Sequence, residues 1–238
     1  MTAFADDPLL AHLSEQTDRL LSTINELTDE QARGPSLLPG WTRGHVLAHL
    51  ARNADGLGNV ARTAITGRVT PMYESAAQRD ADIEADADRS ASDHESDVEA
   101  SAERLLALLA DIPADRLDVQ VPSGRGPTIT VATLPWVRLR EVVYHHVDLD
   151  AGFTMADAPD LVLRGGLAEC PARLADATPG ATITAQFADS PDERLVIGDG
   201  SVAVAGPAHE VLGWLTGRSS GSGLDTGQDD LPALPSWG

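Results

Sequence analysis

Cysteine is almost missing from this 238-residue chain, and Cys170 is its only thiol. One thiol cannot close an internal disulfide, which fits a reducing compartment. Its stretch, GGLAECPARL, is apolar and helical in pattern, so Cys170 reads as a small buried hydrophobe. Long apolar runs are missing too: no segment approaches the roughly 18–20 residues that span a bilayer. The N-terminus, MTAFADDPLLAHL, has neither a basic segment nor a small-residue cleavage site, so a secretory signal is not expected and the cytoplasm is. Basic residues are scarce. Seventeen Lys and Arg against 37 Asp and Glu give a net charge of −20 and a pI near 4.5. Such a surface repels nucleic acid and anionic membrane, so neither is an expected partner. A site for an anionic substrate then needs its own cations, and Arg43, Arg140 and Arg218 are the arginines to watch. Internal repeats are absent. So are the C-x-x-C and H-E-x-x-H patterns, which removes zinc ribbons and zincins.

What is present is globular: hydrophobic residues make up 42% of the chain. A first helix is expected from Asp7 to Leu27, with Asp7 as N-cap, Pro8 in the first turn, and Leu9, Leu13, Leu20, Ile24 and Leu27 on one stripe with Thr17. Breakers at Gly34, Pro35, Pro39 and Gly40 precede a second helix, Arg43 to Thr66, capped by Thr42 and stopped by Gly67. The acidic run from Asp80 reads as a solvated face. Ser92 and Glu95 suggest a capping box for a helix that ends before Pro113. DVQVPSGRGPTITV reads as a hairpin around a Ser-Gly-Arg-Gly turn, and a helix follows from Pro135 to Asp150. Beyond it lie a helix between Asp157 and Ala177 limited by Pro171, three short strands (ATITAQFA, ERLVIG, SVAVAG), a helix entered at Gly206-Pro207, and a Gly/Ser/Pro tail. The expected fold class is α+β in two domains, 1–153 helical and 154–238 smaller and mixed.

Two helical stretches carry polar pairs four residues apart: His45 and His49 in GWTRGHVLAHLARN, and Glu141 and His145 in RLREVVYHHVDL. Positions i and i+4 lie on one helical face, so each stretch can aim its pair at one point. Packed together, they can supply three ligands to a divalent metal and leave one coordination position open. Spacing leaves open which histidine binds, since His45 and His146 lie close by. Zinc suits the donor set, and Fe, Mn, Ni and Co are compatible with it. Arg140 is adjacent to Glu141 in sequence and is expected to point away from it.

The stretches GWTRGHVLAHLARNAD and REVVYHHVDL resemble the DinB-like four-helix metalloenzymes. With TPMY at Thr70 to Tyr73, LPWVRLREV from Leu134, and LTGR at Leu215 to Arg218, the resemblance narrows to the mycothiol-dependent maleylpyruvate isomerases. It implies a metal-binding four-helix bundle and a C-terminal α/β sandwich resembling sterol carrier proteins. It implies zinc on His49, Glu141 and His145, with His45 as a capping or supporting residue. It also implies a catalytic arginine on the last helix, Arg218, and mycothiol as the thiol cofactor.

The implied reaction, maleylpyruvate to fumarylpyruvate in the gentisate pathway of aromatic catabolism, needs a nucleophile. Addition converts the double bond to a single bond that rotates before the nucleophile leaves, and a thiolate both adds and departs readily. Zinc either holds the sulfur as thiolate or polarises the substrate carbonyl. Arg218 offsets the developing charge and the substrate carboxylates. The expected partners are mycothiol and a small dicarboxylate, on a monomer. The alternatives are another mycothiol-dependent S-transferase or hydrolase, and a non-catalytic zinc module.

Overall fold

Side-chain caps open the first five helices of this protein. A computed structural model of the chain describes residues 2–5, 7–123, 128–227 and 230–235. Asp7 accepts a hydrogen bond from the Leu9 amide and opens α1 (Pro8–Asn25). Thr28 and Gln31 form a capping box on the one-turn α2 (Asp29–Ala32). Thr42 opens α3 (Arg43–Thr66), with the His45 side chain closing the box and Gly67 ending the helix at φ 70. The acidic stretch expected only as a solvated face forms a helix, α4 (Ala76–Asp86), capped by Ser75. It is largely exposed, with Arg79 and Ile83 buried. The next cap is Ser90 rather than Ser92: its hydroxyl accepts from the Asp93 amide, and Asp93 adds an anion to the first turn of α5 (Ala91–Asp111). Strands β1 (Gln120–Pro122) and β2 (Thr128–Thr130) pair antiparallel as the expected hairpin, whose Ser-Gly-Arg-Gly turn falls largely outside the described residues. α6 (Leu134–Asp148) follows.

Residues 1–151 and 152–238 form two compact units. In the first, α1 packs on α5 and α6, and α3 packs on the same two helices, which closes a four-helix ring. α4 lies against α3 from outside. Packed by α4, α5 and α6, α3 buries 16 of its 24 residues. Leu13, Leu20 and Ile24 of α1 fill the core with Leu47, Leu50 and Leu57 of α3, Leu105 and Leu109 of α5, and Leu139 and Val142 of α6. Each such side chain contributes roughly 2 kcal/mol relative to exposure. The end of α4 is stitched to its neighbours by charge: Arg52 of α3 bonds Asp86 at 3.0 Å and Asp97 at 2.9 Å, and Arg89 reaches the same Asp97 at 2.9 Å.

The second unit contains α7 (Asp160–Arg173), β3 (Ala181–Gln186), β4 (Glu193–Ile197), β5 (Val202–Pro207) and α8 (Ala208–Leu215). Pro171 is accommodated inside α7. The sheet order is β4-β3-β5, with β4 antiparallel and β5 parallel to β3. Ala181, Ile183 and Ala185 alternate inward along β3 and join a core with Val162 and Leu167 of α7 and Val211 and Leu212 of α8. The tail returns to the sheet, where Ala205 and Asp225 exchange backbone hydrogen bonds at 2.8 and 2.7 Å. Cys170 is buried, and burial pushes its thiol up to about 12. Among the described residues, no helix is long and apolar enough to cross a membrane.

Gly44, in the first turn of α3, faces the Ala87 carbonyl and the His94 ring so closely that a Cβ would collide with that carbonyl oxygen. Backbone cannot yield as a side-chain tip does. Gly44→Ala is expected to destabilise the protein by about 1–3 kcal/mol, read as a lowered denaturant midpoint at unchanged m-value.

Candidate metal centre

α3 and α6 pack so that Arg138 meets Leu50 and Asn53, Glu141 meets His49, and Leu149 meets Arg43. The Arg43 guanidinium donates to the backbone carbonyls of Leu149 and Asp150, clamping the end of α6 to the start of α3. Arg43 therefore serves helix packing.

Within this frame His49, Glu141 and His145 converge. His49 Nε2 lies 3.2 Å and His145 Nε2 3.5 Å from the same Glu141 oxygen, Oε2. The imidazoles meet edge to face with centroids 4.5 Å apart. One ligand atom from each residue lies within 4.8 Å of the others. The neighbouring histidines face elsewhere. His45 caps α3 through Nδ1, which accepts from the Thr42 amide at 3.2 Å, while its Nε2 sits 3.1 Å from Glu84. His146 is buried with its Nε2 2.8 Å from the Thr23 hydroxyl of α1. Arg140, expected to point away, reaches back along its long side chain to put Nη2 3.5 Å from Glu141 Oε1.

Each member of the cluster has a second partner. His145 Nδ1 donates to Asp148 Oδ2 at 2.8 Å, and Asp148 is fully buried. Asn53 Nδ2 donates to Glu141 Oε2 at 3.4 Å, and the Asn53 carbonyl accepts from the buried Arg138 at 2.9 Å. Arg79 of α4 donates to His49 Nδ1 at 2.8 Å. A guanidinium only donates, so Nδ1 is the acceptor, and the neutral ring carries its proton on Nε2, directed at Glu141.

The electrostatics follow from these contacts. Burial lowers His49 to about 4, helped by the charge of His145 and opposed by Glu141. Burial works to raise Glu141, but hydrogen bonds and charge from His145 and His49 hold it well below the carboxylate range. Burial lowers His145, and the hydrogen bonds to Asp148 and Glu141 reverse that and raise it. Burial drops Arg138 to about 10.

The donor set fits a divalent metal of zinc type: two imidazole nitrogens and an ionised carboxylate, three protein ligands in all. His145 has the carboxylate partner usual for a metal-bound imidazole, and loading it displaces a proton; a metal on His49 Nε2 would leave the ring proton on Nδ1, which then no longer accepts from Arg79.

Beside the cluster, between α3 and α4, lies a cleft of about 580 Å³ with Tyr73 and Arg79 in its wall. The TPMY segment brings Tyr73 there. Thr63 exchanges hydrogen bonds with Thr70, and Asn59 donates to the Met72 carbonyl. Gly56 leaves the room, since a Cβ there would press on the Tyr73 ring at 2.9 Å.

Residues 13–150 match the family model described as the mycothiol maleylpyruvate isomerase N-terminal domain, a span from within α1 to the end of α6. The chain belongs to this family. A crystal structure of the mycothiol-dependent maleylpyruvate isomerase is similar over all of both chains, with 29% identity and a TM-score of 0.83, and so is the structure of a histidine-to-alanine mutant of that isomerase. No curated protein matches. The fold is that of these isomerases, a helical N-terminal unit followed by an α/β part.

Arg218 belongs to the second unit. It was expected on the last helix, but α8 ends at Leu215 and Arg218 follows Gly217, whose φ of 73 turns the chain. Its amide bonds the Gly213 carbonyl at 2.7 Å, and its guanidinium donates to the Thr216 carbonyl at 3.2 Å.

Arg79, Asp148, Asn53 and Arg138 were not singled out from the sequence. Asp148 is three residues after His145 and Arg138 three before Glu141, so helical spacing carried a signal for both. Arg79 stands just before the acidic run and had none.

The two histidines should titrate apart in the metal-free protein. Imidazole signals in two-dimensional NMR are expected to show His49 neutral down to about pH 4 and His145 still protonated above its ordinary 6.5. In stability terms, His49 costs the fold as pH falls from 6.5 towards 4, because the unfolded chain takes up that proton first. His145 contributes stability below 6.5 that is lost as pH rises through its folded value. A His49 signal that titrates at 6.5 would contradict the environment described.

Proposed function

We propose that this chain is a mycothiol-dependent cis–trans isomerase that converts maleylpyruvate to fumarylpyruvate, and that His49, Glu141 and His145 hold its zinc. One observation carries the reading: the three side chains converge in a chain that matches the mycothiol-dependent maleylpyruvate isomerase along its whole length. A role in gentisate breakdown in the cytoplasm goes with it.

Bound zinc supplies an electropositive seat for a sulfur or a carbonyl oxygen. The thiol supplies a nucleophile that can add to a carbon–carbon double bond and leave again after rotation. The chain itself offers no such group, because the Cys170 thiol is buried and raised to about 12. What the residues contribute is position and charge. Glu141 stays ionised between its histidines and gives the cation an anionic ligand. Asp148 and Asn53 fix the orientation of His145 and Glu141 through hydrogen bonds. Arg218 is the residue proposed to meet the negative charge that develops on the substrate, with a planar fork suited to a carboxylate or enolate oxygen.

The test is a coupled assay of purified, zinc-loaded protein with maleylpyruvate, with and without mycothiol. Fumarylpyruvate should form only with the thiol. Thiol consumption without isomerisation would instead identify an S-transferase on the same fold. His49→Ala should lose both bound zinc and activity while remaining folded, and full zinc occupancy in that variant would refute the ligand assignment. Arg218→Ala should keep its zinc and lose turnover by roughly 10²-fold or more. Wild-type kinetics there would remove this arginine from the reaction.

A further inference from the structure

Arg79 is a buried cation that the architecture of the first unit does not require. It is 7% exposed, on a helix whose other residues, apart from Ile83, are not buried. Helix packing alone would leave such a side chain in water, and enclosing a guanidinium is costly unless a negative partner compensates it. The compensation here is thin. Nη1 bonds Asp80 at 2.7 Å, but Asp80 is the next residue in the chain and its carboxylate is 57% exposed. Nη2 is spent on His49 Nδ1, a ring atom that carries no charge, and the guanidinium lies 5.8 Å from the Tyr73 ring centre. Tyr73 adds a further side-chain hydrogen bond, and because a guanidinium carries five N–H groups these contacts still leave donor capacity.

The same side chain lines the cleft between α3 and α4 and touches a candidate metal ligand, so it bridges the cavity and the cluster. Two of the carboxylates in the cleft wall are ion-paired: Asp86 with Arg52, which also serves Asp97, and Asp55 with Arg52 and Arg104. Glu74 and Asp82 also line the cleft, the latter accepting from Gln78 at 2.8 Å. A small planar anion in this cleft therefore has one buried guanidinium to pair with, and a planar fork matches a carboxylate.

We infer that Arg79 receives a carboxylate of the dicarboxylate substrate beside the His49–Glu141–His145 cluster. The identity of the substrate class rests on the isomerase reading, while the anion site rests on the cleft and its arginine. The substrate then spans from this guanidinium towards the cluster, and Arg79 acts by contact with the substrate.

Maleate, a cis-dicarboxylate without the pyruvyl chain, is the probe. Its binding to the zinc-loaded protein is measured by calorimetry for the wild type, Arg79→Gln and Arg79→Lys, with zinc content and melting temperature recorded for each. The expected result is saturable binding that weakens roughly 10- to 100-fold in Arg79→Gln, partly restored in Arg79→Lys, at unchanged zinc content. KM for maleylpyruvate should rise in parallel, with kcat less affected. Unchanged maleate affinity in Arg79→Gln overturns the inference. So does zinc lost together with affinity, because Arg79 would then be positioning His49. A wild type that binds maleate through Arg79 yet fails to isomerise maleylpyruvate supports this inference and defeats the isomerase reading. An active wild type whose maleate binding ignores Arg79 does the opposite.

Discussion

A single carboxylate oxygen, Glu141 Oε2, shared between imidazoles on two helices, is the contact on which the rest of the first unit depends. His49 approaches it at 3.2 Å from α3 and His145 at 3.5 Å from one turn along α6. That arrangement demands one rotation and one axial register of α6 against α3. The register is held from both ends, by Arg43 on the carbonyls that close α6 and by Arg138 on Asn53 and Leu50. These polar clamps add position to a core of aliphatic side chains, which specifies volume better than register.

Charge is distributed against the grain of the chain. The protein carries −20 overall and draws all its basic side chains, 17 of them, from arginine. Three of those arginines surround Glu141: Arg140 at 3.5 Å, Arg138 through Asn53, and Arg79 through His49. Fixed cations in a buried setting act strongly over short range, whereas the exposed acidic surface is screened within about 10 Å at ordinary salt. An acidic exterior and an anion-tolerant interior are therefore compatible in one small domain.

Much of this was legible in the sequence where a local rule applied. Asp7, Pro8, Thr42 and Gly67 marked the ends of α1 and α3 because caps act through neighbouring backbone. The i, i+4 pair Glu141 and His145 marked a polar face for the same local reason. What spacing could not decide was which histidine of each pair turns inward, because that depends on the neighbouring helix. His146 finds Thr23 on α1, and His45 is taken by Thr42 and Glu84. α4 was hidden because its acidic, weakly patterned sequence buries only two side chains, and the ion pairs that tie it to α3 come from distant residues. Arg79 was hidden with it. The reach of Arg140 was misjudged because a Cβ direction says little about where a long flexible side chain ends.

Trp41 stands just before α3, its indole stacked at 6.0 Å on His45 and tilted at 5.8 Å over His49. Indole emission responds to the electronic state of a ring this close. One of the chain's four tryptophans thus offers an optical handle on the cluster, sensitive to cation loading or imidazole protonation without any added dye.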